Sequence, residues 1–341
     1  MSAPLVILVV LMLGVIFVNG WTDAPNAIAT AISTRVIRPA TAVRMAVFFN
    51  FLGAFAMTLV NSKVAATISN IVKFHPEENN LALVALAAAM FSIVLWATVA
   101  WYFGIPTSES HALIAGVTGG AIALGGFSSV NPHEWSKVLI GLGISTILGF
   151  ASGYATTKLI EILFYRMRRN KANKIFGIGQ IFGAASMSFM HGAQDGQKFM
   201  GIFLLSIYLY NSNMVSHSAD GTFSIPMWLI ILCSAVMGLG TSVGGYRIIK
   251  AVGMDMVKLE KYQGFAADTA ASLSLLLSSL AGVPVSTTHT KTAAIMGVGA
   301  SRRLSAVNWS VVKDMVLAWI LTFPGCGLIA WFMAKIFLKV F

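Results

Sequence analysis

Two acidic residues stand in similar short motifs in the two halves of the chain, where the surrounding sequence is apolar enough to cross a membrane. Asp23 lies in NGWTDAPNA (19–27), and Asp195 lies in HGAQD (191–195). A carboxylate at the centre of a membrane costs about 2.5–3.5 kcal/mol on insertion scales, so such residues usually bind or move ions. A helix interrupted at these motifs would also free carbonyl oxygens, which together with a carboxylate suit Na⁺ or a proton. We predict that both acids lie in helix breaks and form a duplicated cation site; pairing with a basic residue near the interface is the simpler alternative for either acid alone.

Another pair of motifs, GIPTSESH (104–111) and GVPVSTTH (282–289), joins a Gly-x-Pro break to a hydroxyl cluster and then to an apolar, glycine-rich helix. The free N–H groups of a first helical turn carry the positive end of the helix dipole. With Ser and Thr hydroxyls they would form an uncharged donor cup for an oxyanion, and two opposed cups would surround a tetrahedral anion. Ordinary N-capping explains either motif alone. His111 and His289 close the motifs, and we expect them to be hydrogen-bonded helix residues rather than metal ligands.

These motifs need helices to position them, and the composition predicts which kind of protein supplies them. Of the 341 residues, 57% are hydrophobic and 10% are charged, whereas about 25% of a soluble chain is charged. Apolar runs long enough to span a bilayer recur along the sequence. They predict an all-α polytopic (multi-pass) membrane protein, with apolar segments near 3–18, 40–60, 80–103, 136–165, 175–190, 199–210, 226–246, 265–281 and 311–338. The last segment contains FPGCG (323–327), which we expect to break it.

The paired motifs follow each other in the same order in both halves, together with a weaker third pair, EWSKV (134–138) and NWSVV (308–312). Many secondary transporters are built from two such halves with inverted topology. We predict a first transmembrane repeat at 1–165, a basic loop at 166–174 and a second transmembrane repeat at 175–341, with broken helices and re-entrant hairpins. The positive-inside rule places the basic loop in the cytoplasm.

The net charge of +11 does not by itself indicate a nucleic-acid-binding protein. The basic residues gather in short loops such as RMRRNKANK (166–174), which suits contact with anionic lipid headgroups. The two cysteines, Cys233 and Cys326, lie in apolar segments and predict neither a disulfide framework nor a metal site. We therefore expect the lipid bilayer as a partner, no nucleic acid, and no cofactor.

At these motifs the sequence resembles the PiT family of inorganic phosphate transporters, which carries a G-x-N-D-x-x-N signature and a P-x-S-T-T-H hairpin in each half. The resemblance covers nearly the whole chain. It implies a cation-coupled symporter of inorganic phosphate in the cell (plasma) membrane, with H⁺ or Na⁺ as the coupling ion and a homodimeric assembly. It also implies an anion site lined by Ser108, Ser110, Ser286, Thr287 and Thr288, and cation sites lined by Asp23, Asn26, Gln194 and Asp195. Na⁺ is then the candidate metal ion, at Asp23 and Asp195.

The chain departs from the family's pattern at four positions. Thr22 precedes the first acid, where the family often has Asn, and Gln194 precedes the second. Lys198 stands where the first half has Asn26, so its ammonium would fill a site that holds Na⁺ elsewhere, neutralise the bound anion, or extend to the membrane interface. Glu109 replaces a neutral hairpin residue and would carry a coupled proton or pair with a buried cation. These departures leave proton coupling and sodium coupling both open.

Three other functions fit parts of the pattern. A sulfate permease would use the same cups, but sulfate lacks the O–H donors of phosphate and would leave nearby carboxylates unpaired, so we favour phosphate. A divalent-metal transporter would use the acids and histidines as ligands, but the sequence offers no tight His/Asp cluster. An intramembrane hydrolase would pair Ser286 with His289. The same Ser-x-x-His spacing occurs in the first half, which argues against a single active site and against an enzyme.

Overall fold

The computed structural model describes residues 3–74, 79–211 and 224–340. Of the two polar segments that the sequence marks as loops, HPEENN (75–80) lies outside these ranges at 75–78, and its last two residues are helical rather than loop. NSNMVSHSADGTFS (211–224) is described only at its two end residues. The described part is built of α-helices joined by short turns. They are α1 (Ala3–Thr22), α2 (Pro25–Ser33), α3 (Pro39–Val60), α4 (Lys63–Ser69), α5 (Asn79–Tyr102), α6 (Glu109–Gly125), α7 (Pro132–Leu163), α8 (Arg169–Tyr210), α9 (Met227–Thr241), α10 (Tyr246–Lys250), α11 (Lys261–Leu280), α12 (Thr287–Arg302) and α13 (Trp309–Val340).

Several of these helices are as long as a bilayer is thick. Within the described ranges, six helices are long and apolar enough to cross a membrane. A seventh crossing is present if α9 and the bent segment Tyr246–Asp255 form one span. α8 is longer still, at 42 residues, but its first turns are basic. The prediction of an all-α polytopic membrane protein is confirmed.

The predicted helix break is present at Asp23 and absent at Asp195. α1 ends at Thr22 and α2 begins at Pro25, whose nitrogen has no hydrogen to donate to the preceding turn. Asp195 instead lies inside the unbroken α8, so the prediction of a second break is wrong. The second motif contains no proline, and all of its N–H groups can therefore stay in the helical hydrogen-bond ladder.

Other predicted boundaries also change. The apolar segments near 175–190 and 199–210 are parts of the single helix α8. Pro324 of the FPGCG motif lies inside α13, which continues without the predicted break. A membrane helix tolerates such a proline where its surroundings satisfy the freed carbonyl. The basic segment 166–174 is a loop only up to Arg169, where α8 begins.

Both hydroxyl-rich motifs form tight turns that lead into capped helices, as the sequence predicts. Gly104 and Gly282 each have a φ of +70°, in the region that favours glycine. Ser108 and Ser286 are the N-caps of α6 and α12. Each accepts a hydrogen bond from the backbone N–H three residues further along, at 3.3 Å and 3.1 Å respectively.

The two halves of the chain exchange helix partners in a reciprocal way. α6 of the first half packs on α13 of the second, and α12 of the second half packs on α7 of the first. At both contacts a glycine lets the backbones touch: a Cβ at Gly119 would overlap the carbonyl oxygen of Gly327, and a Cβ at Gly297 would overlap that of Phe150. α1 with α9 and α3 with α8 form another such set. This reciprocity supports the division into two repeats, which stays a prediction together with its boundaries and its inverted topology.

Candidate substrate and ion site

The starts of α6 and α12 meet at one point inside the protein. Ser108 Oγ and Ser286 Oγ are 2.8 Å apart, and both residues are fully buried. Beside them the rings of His111 and His289 pack edge to face, with their centroids 4.3 Å apart. The positive ends of two helix dipoles therefore converge here, as predicted for two opposed donor cups.

Side chains from both halves of the chain hold Asp195. Its Oδ1 accepts a hydrogen bond from Lys198 Nζ at 2.6 Å. Its Oδ2 accepts hydrogen bonds from Asn19 Nδ2 and from Thr287 Oγ1, each at 3.2 Å. Both oxygens of this buried carboxylate are therefore occupied by protein donors, one of them charged.

Lys198 is buried, with 1% of its surface exposed, so extension to the membrane interface is excluded among its three predicted roles. Its Nζ donates to Ser110 Oγ at 2.7 Å and to the carbonyl oxygen of Val285 at 2.6 Å, in addition to Asp195. These oxygens belong to α6, to the turn before α12 and to α8. The ammonium thus occupies an oxygen-lined position of the kind that a bound cation would take.

Asp23 has no such ammonium partner among the residues that the structure describes. Its Oδ1 accepts hydrogen bonds from Asn26 Nδ2 at 2.8 Å and from Thr288 Oγ1. Asn26 Nδ2 also lies 3.1 Å from Thr288 Oγ1. Asp23 Oδ2 and Asn26 Oδ1 are buried and have no hydrogen-bond partner in the part of the chain that the structure describes. Buried oxygens without donors are costly, and these two are positioned to receive a cation, a proton or an O–H of a substrate.

Glu109 extends this group of acids. It lies in the first turn of α6 and is 2% exposed. Its Oε1 accepts a hydrogen bond from Thr22 Oγ1 at 2.6 Å, whereas Oε2 has no partner among the described residues. No basic side chain within residues 3–74, 79–211 and 224–340 forms an ion pair with it. Two roles were predicted for Glu109. The described residues provide no buried cation of the protein that pairs with it, and the role as a proton carrier stays a prediction.

Gln194 faces the turn between α11 and α12. Its Nε2 donates to Ser279 Oγ at 2.9 Å and lies 3.5 Å from the carbonyl oxygen of Val283. Its Oε1 is buried without a partner in the described chain. The amide group of Gln194 therefore positions the hairpin turn. Its role in cation binding stays a prediction, and only Oε1 is free to fill that role.

A cluster of metal-ligand type is present, contrary to the argument that the sequence offers none. Ligand atoms of Asp23, His191 and Asp195 all lie within 4.8 Å of one another. The cluster also contains the ammonium of Lys198, 2.6 Å from Asp195 Oδ1. A divalent cation here would meet that positive charge at close range, which opposes binding. Nδ1 of His191 is 2.9 Å from Asn50 Oδ1, and this contact fixes the orientation of the ring.

The hydrolase arrangement is not formed at Ser286. Its hydroxyl contacts Ser108 Oγ and the backbone N–H of His289. The ring of His289 stacks on Trp319, with the centroids 3.7 Å apart. Nucleophilic catalysis needs a base within hydrogen-bond reach of the hydroxyl. In the described contacts no side-chain base forms a hydrogen bond with the Ser286 hydroxyl.

The sequence analysis missed three buried polar residues next to this site. Thr30, Asp268 and Lys291 form a hydrogen-bonded group and are fully buried. The rule that singled out Asp23 would also have found Asp268 and Lys291, since each is a charged residue in an otherwise apolar or glycine-rich segment. Thr30 carries no charge, and only its spacing from Asn26 along α2 could have indicated it.

Helix starts and carboxyl groups that converge inside a polytopic helical protein are typical of membrane transporters of small ions. The chain belongs to the phosphate transporter family, whose sequence model matches residues 19–330.

Named relatives agree with this assignment. The chain is 37% identical to a "probable low-affinity inorganic phosphate transporter" of Bacillus subtilis, over 96% of both chains. It is 38% identical to a protein of the same description from Rhizobium meliloti, over 92% of this chain and 90% of the relative. A solved structure titled "The sodium-dependent phosphate transporter" superposes with a TM-score of 0.88 at 24% identity, covering 99% of this chain and 100% of the other. The likeness to that structure confirms the fold.

Proposed function

We propose that this protein is a symporter that carries inorganic phosphate across the membrane together with H⁺. The observation that carries the proposal is the meeting of two capped helix starts at the Ser108–Ser286 contact. Phosphate bound there takes hydrogen bonds from Ser108, Ser110, Ser286, Thr287 and Thr288 and from free N–H groups of α6 and α12. These helices come from different halves of the chain, so relative movement of the halves opens the site to one side at a time.

Carboxyl groups beside the anion favour phosphate over sulfate. Asp23 Oδ2 and Glu109 Oε2 are buried acceptors without partners in the described ranges. Phosphate near neutral pH carries O–H groups that can donate to them, whereas sulfate has only acceptors. Sulfate would leave both oxygens unpaired and would add charge repulsion. The same oxyanion geometry makes sulfate the competing substrate that an experiment must exclude.

The choice of H⁺ as the coupling ion rests on a difference in the partners of the acidic residues in the two halves. In the second half the Lys198 ammonium already holds the position beside Asp195, 2.6 Å from Oδ1. In the first half, within the described part of the chain, Asp23 and Glu109 each have one oxygen without a partner and form no ion pair with an ammonium. A proton on one of these carboxyls neutralises it as the anion enters, with no metal coordination shell to complete. Na⁺ bound by Asp23 and Asn26 is the alternative, and Lys198 would then restrict the protein to a single external cation.

Radiolabelled phosphate uptake into proteoliposomes tests this proposal. An inward pH gradient should drive uptake, an Na⁺ gradient at equal pH should not, and excess sulfate should leave the rate within about twofold. The variant Asp23→Asn should lose uptake, while Glu161→Gln, an acid outside the site that pairs with Lys158, should keep it. Absence of phosphate uptake or full suppression by sulfate would contradict the phosphate assignment. Uptake driven only by Na⁺ would contradict the choice of ion and leave phosphate symport standing.

Further features of the proposal rest on the family resemblance, on the positive-inside rule and on the paired halves of the chain. They are a homodimeric assembly, location in the plasma membrane with the 166–174 segment in the cytoplasm, and alternating access around a site near the middle of the bilayer. Crosslinking in membranes and cysteine labelling from each side of sealed vesicles test the first two directly.

A further inference from the structure

A cleft of about 940 Å³ opens at the end of α12 that is remote from Ser286. The 16 residues of α12, about 24 Å of helix, separate the cleft from the candidate site. One wall of the cleft is the segment 254–258, which leads towards α11, and the other is the turn 302–309 between α12 and α13. None of these residues takes part in the phosphate site proposed above, so the cleft needs a separate explanation.

Backbone contacts hold the two walls of the cleft together. Val257 and Val307 form an antiparallel bridge. The N–H of Asn308 donates to the carbonyl oxygen of Met256 at 2.9 Å, and its Nδ2 donates to the carbonyl oxygen of Asp255 at 3.2 Å. The shape of the cleft is therefore built into the backbone and does not depend on the rotamers of exposed side chains.

Charged side chains line the cleft. Three are basic, Lys258, Arg302 and Arg303, and one is acidic, Asp255. Arg302 pairs with Glu260 at 3.0 Å. Lys258, Arg303 and Asp255 form no ion pair within the described parts of the chain. Two such cations can hold one phosphate group, for which the arginine fork is well suited, and the carboxylate can accept hydrogen bonds from hydroxyl groups of the same ligand.

The first half of the chain builds the same backbone framework. Val72 and Val130 form the matching bridge. The N–H of Asn131 donates to the carbonyl oxygen of Ile71 at 3.1 Å, and its Nδ2 donates to the carbonyl oxygen of Asn70 at 2.9 Å. These contacts repeat those of the second half one for one.

The two frameworks differ in the residues that end the hairpin helices. Counted from the bridge valines, Gly125 and Gly126 of the first half take the places of Arg302 and Arg303. In both halves the residue after the helix still donates its N–H to the carbonyl oxygen four residues back. The turn therefore forms without charged side chains, and the arginines of the second half are available for a ligand.

The cleft lies on the face of the protein that carries the basic segment 166–174. Glu260, the partner of Arg302, is the N-cap of α11. Two residues further on, Tyr262 donates its O–H to Glu161 Oε1 at 3.2 Å, close to the end of α7 that precedes the basic segment. The positive-inside rule assigns this face to the cytoplasm, where the membrane surface carries anionic lipids.

The cleft also lies at the depth of the lipid headgroups. Trp309 lines it and is the first residue of α13, one of the helices long and apolar enough to cross a membrane. Its side chain is 48% exposed, and an exposed Trp at the end of a membrane helix is typical of the interface. Met254 on the opposite wall is 54% exposed. Cationic groups flanked by exposed apolar side chains fit a ligand with both a phosphate group and a hydrocarbon part, whereas free phosphate would use only the cations.

We propose that this cleft binds the headgroup of an anionic phospholipid of the cytoplasmic leaflet. Lys258 and Arg303 bind the phosphate diester, and Asp255 accepts hydrogen bonds from hydroxyl groups of the headgroup. Trp309 and Met254 contact the start of the acyl chains. Phosphatidylglycerol has this chemistry, because it carries one negative charge on its phosphate and hydroxyl groups beyond it. The proposal does not depend on which substrate or coupling ion the protein transports.

The basic residues of the cleft have a simpler explanation, which the experiment must separate from lipid binding. Basic residues anywhere on this face satisfy the positive-inside rule without binding a particular lipid. Lys171 and Lys174 are exposed on the same face and do not line the cleft. Removal of these two charges changes the net charge as much as removal of Lys258 and Arg303 does, so it is a matched control.

Native mass spectrometry of the whole protein in detergent, titrated with dioctanoyl-phosphatidylglycerol, tests the proposal. Dioctanoyl-phosphatidylcholine, whose headgroup has no net charge and no hydroxyl group, is the comparison lipid. The unmodified protein should bind the glycerol lipid at least about tenfold more tightly than the choline lipid. Lys258→Gln/Arg303→Gln should lower the affinity for the glycerol lipid by about 25-fold, because each basic residue near an anionic lipid contributes about fivefold. Lys171→Gln/Lys174→Gln should keep the affinity within about twofold.

Size-exclusion profiles and thermal unfolding in detergent check that the variants are folded, as expected for changes at exposed side chains. Equal affinity for the two lipids would overturn the proposal, and so would undiminished binding by Lys258→Gln/Arg303→Gln. An equal loss in the control variant would reduce the effect to overall charge and would also overturn it. Inorganic phosphate at the same concentration should leave the bound lipid in place. Displacement of the lipid by inorganic phosphate would overturn the lipid as the occupant and assign the cleft to free phosphate.

Discussion

The hairpin helices α6 and α12 have the same backbone design but different interiors. Each follows a glycine with φ of +70° and begins at a buried serine cap. Each packs on the last long helix of the other half through a glycine. Behind the cap, α6 carries Leu113 in an apolar cluster, whereas α12 carries Lys291 in an ion pair.

The difference separates the residues that build the helical framework from those that are available for binding and transport. Features shared by both halves are turn glycines, caps and close helix contacts, and each has a local steric or hydrogen-bonding reason. Features found in only one half are charged: Lys198 beside Asp195, Glu109 near Thr22, and the Asp268–Lys291 pair. The framework is therefore symmetric, and the distribution of charge is not.

The largest expected contrast is between the two signature acids. Asp195→Asn leaves the Lys198 ammonium buried without its counter-charge, which typically costs about 3–5 kcal/mol of unfolding free energy. Asp23→Asn removes a carboxylate that holds no ammonium, so its stability should change far less, by under about 1.5 kcal/mol. Both variants should lose phosphate uptake. Thermal unfolding in detergent measures the contrast, and equal destabilisation by the two changes would contradict the asymmetry.

The next contrast concerns the place that Lys198 fills. Lys198→Asn reproduces in the second half the Asp–Asn pair of Asp23 and Asn26. We expect uptake to become dependent on an added external cation, with a rate at least about tenfold lower in its absence. Uptake measured against Na⁺ concentration tests this, with Lys198→Arg as the control that keeps the charge. A rate independent of external cations would show that the ammonium does not stand in for one.

A smaller and symmetric effect is expected at the helix contacts. Gly119→Ala and Gly297→Ala each place a methyl group against a carbonyl oxygen of the facing helix. Overpacking of this kind costs about 1–3 kcal/mol, and the two losses should be similar because the contacts are reciprocal. Thermal unfolding gives both values. Gly143→Ala, at a glycine with open space around it, is the control. A large difference in destabilisation between Gly119→Ala and Gly297→Ala would contradict the equivalence of the two halves.

The smallest effect is expected at the N-caps. Ser108→Ala and Ser286→Ala each remove a cap worth about 1 kcal/mol of stability. Each also removes one donor to the anion, which should raise the KM for phosphate by about tenfold. Concentration dependence of uptake tests whether the two changes are equal. Ser128→Ala, at an exposed hydroxyl outside the site, should leave KM unchanged.

Much of this site could be predicted from the sequence because its signals are local. Pro25 after Asp23 favours a break because its nitrogen has no hydrogen for the helical ladder, and the Gly-x-Pro-x-Ser pattern of the hairpins fixes turn and cap within a few residues. The matched motifs also predicted that the two cups belong together, and their meeting at the Ser108–Ser286 contact agrees. The predicted break at Asp195 was wrong because the motif was read by analogy with the first half, although it lacks the proline that causes the break.

Other features depend on contacts between residues far apart in the chain. Extension of Lys198 to the membrane interface was a reasonable alternative for a lysine just before the predicted apolar segment 199–210. Burial excludes it only because Ser110 and the carbonyl of Val285 close around the ammonium. The Thr30–Asp268–Lys291 group joins three helices that are distant in sequence, so no local pattern reveals which carboxylate meets which ammonium.

The sequence by itself determined the membrane class, the paired motifs, the helix starts and the first helix break, since hydrophobic length, proline and capping act within one segment. Only the tertiary structure decided that α8 runs unbroken past Asp195, that Lys198 fills the position beside this acid, and that no ammonium of the described residues pairs with Asp23. The physical reason is that electrostatic and hydrogen-bond pairing inside a membrane protein is chosen by which helices pack together, and that choice depends on the whole chain at once.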